Sequence, residues 1–312
     1  MKTPHLYALA TVVLWSFFAP MVKLVSTKSQ FLFITLSFFF TFLTFLIAMV
    51  LTQRNNMISR LKALTWRHYV FGLFGFFLYW IALIQCFREF SSASGSTVLN
   101  YTWPLFTVFF TEFIFRRRSK PVLHRIIEWL GVFMGFAAVA ILATKGNLSL
   151  LEITHVQGLL WGLAAGAAYG LYSAYSGTVP KELHVAFLLV SAGGSLIAML
   201  PFGLYEAELF RQFTIQDLLV VAVLGSLLDG GGYFLWTSAN RTAREHNVDI
   251  STVGSIVFFL PLLSVIVISL IYKETEIFKS YFAVTLFFLI AGSILCQRTT
   301  SIVEAFQKRF KE

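Results

Sequence analysis

The residue with the clearest chemical potential is an acid in the middle of an apolar segment. Asp229 is followed directly by Gly230, Gly231 and Gly232. An ionisable side chain at membrane depth is costly unless it faces a cavity or a partner. A carboxylic acid in apolar surroundings can take up and release a proton near neutrality, and glycines weaken a helix. We interpret Asp229 as a candidate for proton coupling or for contact with a substrate amine, with Gly230 and Gly231 as a hinge. The alternative is a neutral acid bonded to a neighbouring helix.

A second polar cluster runs from Asn100 to Pro104 and reads Asn-Tyr-Thr-Trp-Pro. Pro104 has no backbone N–H, so it frees the carbonyl group four residues earlier, that of Asn100. An amide side chain beside a free carbonyl offers donors and acceptors that suit a zwitterion or a polar metabolite. The alternative is that Asn100 only hydrogen-bonds a neighbouring helix.

Aromatic residues with polar atoms recur in the middle of the apolar segments. Tyr169 and Tyr172 are three residues apart, as are Tyr233 and Trp236, so each pair shares one face of a helix. An aromatic-lined cavity accepts planar or apolar groups and also cations; ordinary packing is the alternative for any one residue. The set comprises Trp15, Tyr79, Trp80, Tyr169, Tyr172, Tyr233 and Trp236.

No pattern typical of an enzyme accompanies these residues. The six histidines are scattered without metal-ligand spacing, and neither a nucleophile elbow nor a phosphate-binding loop is present. Cys86 and Cys296 lie in separate apolar segments and form no metal-binding pair. We therefore expect no catalytic residues, no metal site and no cofactor.

The segments that carry these residues are long enough to cross a membrane. The chain is 57% hydrophobic and only 12% charged, whereas about a quarter of the residues in a soluble domain are charged. Since a span needs about 20 residues, the sequence predicts an all-α polytopic membrane protein with ten transmembrane helices. The predicted spans, numbered in chain order, are 5–25, 31–51, 67–87, 94–115, 123–143, 156–176, 184–205, 217–239, 250–271 and 278–296.

The net charge of +9 is explained by topology. With ten spans, most of the Lys and Arg residues fall on the side of the N-terminus, which the positive-inside rule assigns to the cytoplasm. We therefore expect both termini in the cytoplasm and a lipid bilayer, rather than nucleic acid, as the partner of this basic chain.

The two halves of the chain resemble each other around a pair of prolines. Pro104 and Pro261 lie 157 residues apart within similar apolar surroundings. Because five spans per half is an odd number, the second half must enter the membrane from the opposite side. This predicts two inverted five-helix repeats, residues 1–147 and 148–312, with the prolines as paired hinges; a chance match of apolar strings is the alternative.

Span 6 carries a glycine every four residues, at Gly158, Gly162, Gly166 and Gly170. Such a stripe lets another helix backbone approach closely. We favour packing within one molecule over a dimer interface, so both a monomer and a homodimer remain open.

Taken together, these features resemble the EamA-type branch of the drug/metabolite transporter superfamily. The residues that carry the resemblance are Leu14-Trp15-Ser16 in span 1 and the prolines in spans 4 and 9. Glu274 matches the acidic residue of the family after span 9, whereas Arg117 occupies the equivalent place in the first half and departs from the pattern. Within the branch, the run from Asn100 to Pro104 and the run from Val253 to Ser255 are similar to the aromatic amino acid exporters.

The resemblance implies a helical basket with a cavity lined by spans 1, 3, 4, 6, 8 and 9. It also implies export of amino acids, aromatic or broadly neutral, or of related small metabolites across the bacterial inner membrane by alternating access. Asn100 would bind the polar head of the substrate, and the repeats would rock about Pro104, Pro261, Gly230 and Gly231. The other expected substrate contacts are Trp15, Tyr79, Trp103, Tyr172, Tyr233, Trp236 and Ser255.

The main alternative is a multidrug exporter for lipophilic cations. Residues 5–25 contain no acid of the kind that small members of the superfamily use, although Asp229 could substitute. From other classes, a membrane enzyme lacks a visible constellation, and a non-transporting scaffold would have little use for Asn100 and Asp229 at mid-span. Proton coupling and the direction of transport stay open.

Overall fold

The computed structural model describes residues 3–25, 29–90, 93–115, 121–151, 155–272 and 280–309. Throughout these ranges the chain is helical or in short loops and turns, and they contain no β-strand. The α-helices are α1 (Thr3–Ser16), α2 (Phe18–Val22), α3 (Gln30–Gln53), α4 (Met57–Lys62), α5 (Trp66–Leu73), α6 (Tyr79–Glu89), α7 (Ala93–Asn100), α8 (Trp103–Phe113), α9 (Val122–Ala143), α10 (Val156–Ser176), α11 (His184–Tyr205), α12 (Ile215–Val223), α13 (Gly232–Glu245), α14 (Ile250–Val257), α15 (Phe259–Tyr272) and α16 (Ser280–Arg309).

Eight helical segments of the described chain are long and apolar enough to cross a membrane. This confirms the prediction of a helical membrane protein. The other two predicted spans coincide with α10, which is less apolar because of its glycines and tyrosines, and with the pair α7 and α8. The eight segments are Thr3–Val22, Gln30–Lys62, Trp66–Glu89, Val122–Ala143, Lys181–Tyr205, Ile215–Glu245, Ile250–Tyr272 and Ser280–Ala305.

Both prolines follow an interruption of their helix. The helical path stops at Tyr101 and Thr102 before α8, and again at Phe258 before α15. Pro104 and Pro261 therefore lie in the first turn of the next helix, where a missing N–H leaves no hydrogen bond unmade. The predicted span at 94–115 is divided there into the two short helices α7 and α8, and the interruption lies two to three residues before Pro104.

Helices of the first half pack against helices of the second half throughout the bundle. The helix α3 lies against α11, and α9 lies against α16. The helix α10 contacts α6 and α8, while α1 contacts α13, α14 and α15. The core of the molecule is therefore the contact between the two halves.

Two of the long segments contain a wider, π-helical turn. It covers Phe74–Leu78 between α5 and α6, and Leu224–Gly231 between α12 and α13. A π turn frees backbone carbonyl groups, and side chains of other helices bind them here. Tyr233 donates to the Gly75 carbonyl at 3.0 Å, and Trp15 donates to the Leu228 carbonyl at 2.9 Å. The run of glycines after Asp229 thus lies in and beside a π segment within a continuous helix.

The glycine stripe of α10 faces helices of the same molecule. A methyl group at any of its four positions would overlap a side chain of the first half. The side chains concerned are Phe90 for Gly158, Leu99 for Gly162, Thr102 for Gly166 and Phe106 for Gly170. The stripe therefore brings α10 against Phe90 and residues 99–106, as intramolecular packing requires.

Candidate functional site

A cavity of about 530 Å³ lies between the helices; we call it the central cavity. It extends from mid-span to the surface at the end where α2 and α6 finish. Val22 and Phe87, which line it there, are 37% and 38% exposed. We call this the open end and the opposite one the closed end.

Six of the predicted site residues line the central cavity. They come from α1, α6, α7, α8, α13 and the second π segment, so the fold brings together positions more than 200 residues apart. These six are Trp15, Tyr79, Asn100, Trp103, Asp229 and Tyr233.

Asn100 is the last residue of α7, directly before the interruption at Tyr101. Its side-chain oxygen accepts a hydrogen bond of 3.0 Å from the Tyr79 hydroxyl. The amide NH2 group supplies two further donors. The helix break and the tyrosine thus hold an amide on the wall of the cavity.

Asp229 reaches the cavity from the second π segment and is only 4% exposed. Its Oδ2 atom accepts a hydrogen bond of 2.7 Å from the Ser37 hydroxyl on α3. Thr41, one turn further along α3, donates to the Gly225 carbonyl at 2.8 Å. Asp229 therefore has both a partner on a neighbouring helix and a place in the cavity lining.

Trp15 is the centre of the aromatic wall. Its ring lies edge-on to Trp103, Tyr169 and Tyr233, with centroids 6.2 to 6.4 Å apart. Its indole N–H donates a hydrogen bond to the Leu228 carbonyl. Edge-to-face contacts of this kind fix ring orientations, so the wall is preorganised.

Two buried donors beside this wall have no hydrogen-bond partner among the described residues. They are the Tyr169 hydroxyl and the Trp80 indole N–H, and both residues line the cavity. Unpaired buried polar atoms are rare in proteins. These two atoms are therefore available for a ligand.

Three predicted contacts lie outside the lining. Tyr172 is fully buried and stacks on Phe187, and Trp236 is fully buried and donates to the Ser173 hydroxyl at 2.9 Å. Both are three residues beyond a cavity residue, which places them about one turn closer to the closed end. Ser255 donates to the carbonyl of Thr252 within its own helix.

Sequence reasoning gave several lining residues no role in substrate binding. Lys23 is one of them. Helical spacing would have identified most of them, since they lie three, four, seven or eight positions from Trp15 or Tyr79 on the same faces. The lining residues concerned are Phe18, Ala19, Val22, Leu83 and Phe87.

The predicted hinge residues differ in burial and in their position within the helices. Pro104 is buried and Pro261 is half-buried, each three residues after a helix interruption. Gly230 and Gly231 close the second π segment, and their role as hinges stays a prediction. Glu274 and Arg117 lie outside the described residues.

Comparison with known proteins supports the resemblance. Residues 2–144 match the model of the EamA-like transporter family. The chain is 24% identical over 208 residues to the aromatic amino acid exporter YddG of Ancylobacter novellus, covering 65% of this chain and 66% of that protein. It is 28% identical over 164 residues to an uncharacterized transporter of Acidianus ambivalens, covering 50% of this chain and 58% of that protein. Each match spans less than two thirds of the relative.

A crystal structure shares the fold over nearly the whole chain. The TM-score is 0.73 at 20% sequence identity, over 95% of this chain and 97% of the other. Both halves of the molecule therefore belong to a fold that is already known.

Proposed function

We propose that this chain, whose residues 2–144 match the model of the EamA-like transporter family, exports amino acids or related small metabolites through the central cavity. The observation that carries the proposal is an aromatic cavity with one polar wall, in which the Tyr79 hydroxyl holds the Asn100 amide. The family match points to a transporter rather than an enzyme.

The lining fits the parts of an amino acid. The Asn100 amide, the Trp80 indole N–H and the Tyr169 hydroxyl are donors for a carboxylate. Asp229 supplies an acceptor for an ammonium group. The ring of Trp15 and its aromatic neighbours form an apolar wall for the side chain. A volume of about 530 Å³ lies within the range of small-molecule sites, roughly 300–1,000 Å³.

We also propose the ten-span, inverted-repeat arrangement as the basis of transport. The equivalent helices α3 and α11 contact each other, as do α9 and α16. The interruptions at Tyr101 and Phe258 are 157 residues apart, the same separation as Pro104 and Pro261. With both termini in the cytoplasm of a bacterium, the open end faces outward.

A lipophilic-cation exporter is the second candidate, because a carboxyl group in an aromatic cavity also suits a cation. Asp229 beside Trp15 and Tyr233 is the feature that favours it. The two candidates differ in the use of Asn100, because a quaternary cation has no hydrogen-bonding group to offer an amide.

The experiment that tests the proposal is counterflow into liposomes containing the purified full chain. Labelled L-phenylalanine, L-leucine and tetraphenylphosphonium are compared, with and without a pH gradient, against protein-free liposomes. We expect saturable counterflow of an amino acid. Counterflow of the cation with no amino acid would establish the second candidate and overturn the first.

A further inference from the structure

A second group of polar residues lies at the closed end of the bundle. It surrounds a pocket of about 10 Å³, which is about the size of one water molecule. We call it the closed-end pocket and define it by Thr111, Ser173, Gly177, Asn240 and Arg244. It is separate from the central cavity and shares none of its lining residues.

Three buried polar atoms of this pocket have no hydrogen-bond partner among the described residues. Asn240 is 3% exposed, and neither its amide oxygen nor its amide nitrogen has a hydrogen-bond partner among the described residues. The hydroxyl of Thr111, which is 6% exposed, also has none. Burying an amide without a partner is unfavourable, so a second state in which these groups are paired would explain why they are there.

Asn240 corresponds, in the alignment of the two halves, to a residue that lines the central cavity. Residues 79, 83 and 87 form one face of α6 and line the central cavity. Pro104 and Pro261 are 157 residues apart, and the same separation relates these three positions to Trp236, Asn240 and Arg244 on α13. The last two line the closed-end pocket, and Trp236 donates to its Ser173 hydroxyl. Equivalent helix faces therefore line the two cavities at opposite ends.

The chemistry of the two faces differs. The apolar Leu83 and Phe87 correspond to an amide and a guanidinium at Asn240 and Arg244. Arg241, next to Asn240, pairs with Glu245 at 2.6 Å, which leaves Arg244 as the cation that lines the pocket. An amide, hydroxyl groups and a guanidinium are donors that favour a carboxylate.

We propose that the closed-end pocket is a second binding site for the substrate, used when this end of the molecule opens. Asn240 and Thr111 hold the carboxylate of the substrate there, and Arg244 attracts it from the cytoplasm. The proposal rests on the proposed function: in export, the substrate meets this site before it reaches the central cavity.

Thiol accessibility tests the opening and the binding together. In a Cys86→Ala, Cys296→Ala background, Thr111→Cys places one thiol in the pocket. We expect a membrane-impermeant methanethiosulfonate to modify it from the cytoplasmic face of inside-out vesicles. An amino acid that is transported in the counterflow assay slows the modification several-fold, and its decarboxylated amine does not. A thiol that stays unmodified, or that a transported substrate does not protect, overturns the second site while leaving transport established.

Asn240→Leu gives an independent readout, with Gln53→Met as the matched control. Neither amide oxygen has a partner in the part of the chain that the structure describes. The first change removes two such polar atoms from the pocket, and the second removes one buried amide oxygen at the end of α3. We expect Asn240→Leu to lower counterflow at least tenfold with an unchanged or higher melting temperature, and Gln53→Met to keep transport. Unchanged counterflow in Asn240→Leu, or its loss together with a lowered melting temperature, would assign Asn240 a structural role only.

Discussion

At the scale of single residues, the proposed recognition of substrate depends on how one amide is held. Asn100 has its oxygen bonded by the Tyr79 hydroxyl and lies at the end of a helix that the chain then interrupts. An oriented amide discriminates between ligands, because a ligand without a matching polar group leaves it unpaired. The aromatic wall around it adds shape and apolar contact.

Removing the hydroxyl that orients this amide should weaken substrate binding. In Tyr79→Phe, the ring stays in the lining while the hydrogen bond to Asn100 is lost, at a cost of about 1 kcal/mol. We expect the KM of amino acid transport to rise about fivefold. The control is Tyr205→Phe, since Tyr205 is 89% exposed and makes no contact with the cavity. Equal KM values for both variants would argue against a role for Tyr79.

Asp229 is the residue through which protons could be coupled to transport. In Asp229→Asn, the side chain can still accept the hydrogen bond from Ser37 but can no longer ionise. If Asp229 couples protons, a pH gradient that drives uptake by the wild type should have no effect on the variant, while counterflow at equal pH persists. Asp249→Asn, outside the central cavity, is the control and should keep the response. A full pH response in Asp229→Asn would exclude the coupling role.

At the scale of helices, the sequence predicted the positions of the elements well and their irregularities poorly. Apolar length located the membrane helices, and Pro104 and Pro261 marked the two interruptions. The π segments were missed because they depend on bonds from other helices, such as Tyr233 to the Gly75 carbonyl. Contacts of that kind are set by packing between halves and leave no local pattern.

The sequence also did not predict which aromatic residues along a helix reach the central cavity, for a related reason. Spacing of three residues correctly placed Tyr233 and Trp236 on one face, yet only Tyr233 lines the central cavity. Periodicity identifies the face that a helix buries but carries no information on where along that face a cavity ends. On α13 the cavity ends at Trp236, which makes a T-shaped contact with the lining residue Trp103.

Two glycines offer a matched test of the helix packing. A methyl group at Gly166 would overlap Thr102, whereas one at Gly254 would meet nothing within 4 Å. We expect Gly166→Ala to destabilise the protein by about 1–3 kcal/mol through overpacking, and Gly254→Ala to stabilise it by up to about 1 kcal/mol through helix propensity. Thermal unfolding in detergent measures both, and equal melting temperatures would contradict the packing of α10.

At the scale of the whole molecule, helices of the two halves pack against each other and surround a central cavity that opens at one end. The open end leads to Asn100 and Asp229, while the closed end contains polar groups around Asn240 that have no partner within the described part of the chain. Composition predicted the membrane class, whereas the duplication that the paired prolines indicate stays a prediction. The difference between the largely apolar central cavity and the polar closed-end pocket depends on packing between distant helices, which leaves no local pattern in the sequence.

The most direct test of the account is counterflow of labelled L-phenylalanine by the wild type and by Asn100→Leu, with Gln297→Leu on the exposed face of α16 as the control. Loss of hydrogen bonds to a carboxylate, about 1.5–3 kcal/mol, predicts at least a tenfold slower rate at low substrate for Asn100→Leu and no change for the control. Equal rates for Asn100→Leu and the wild type would contradict the claim that the amide in the central cavity binds the substrate.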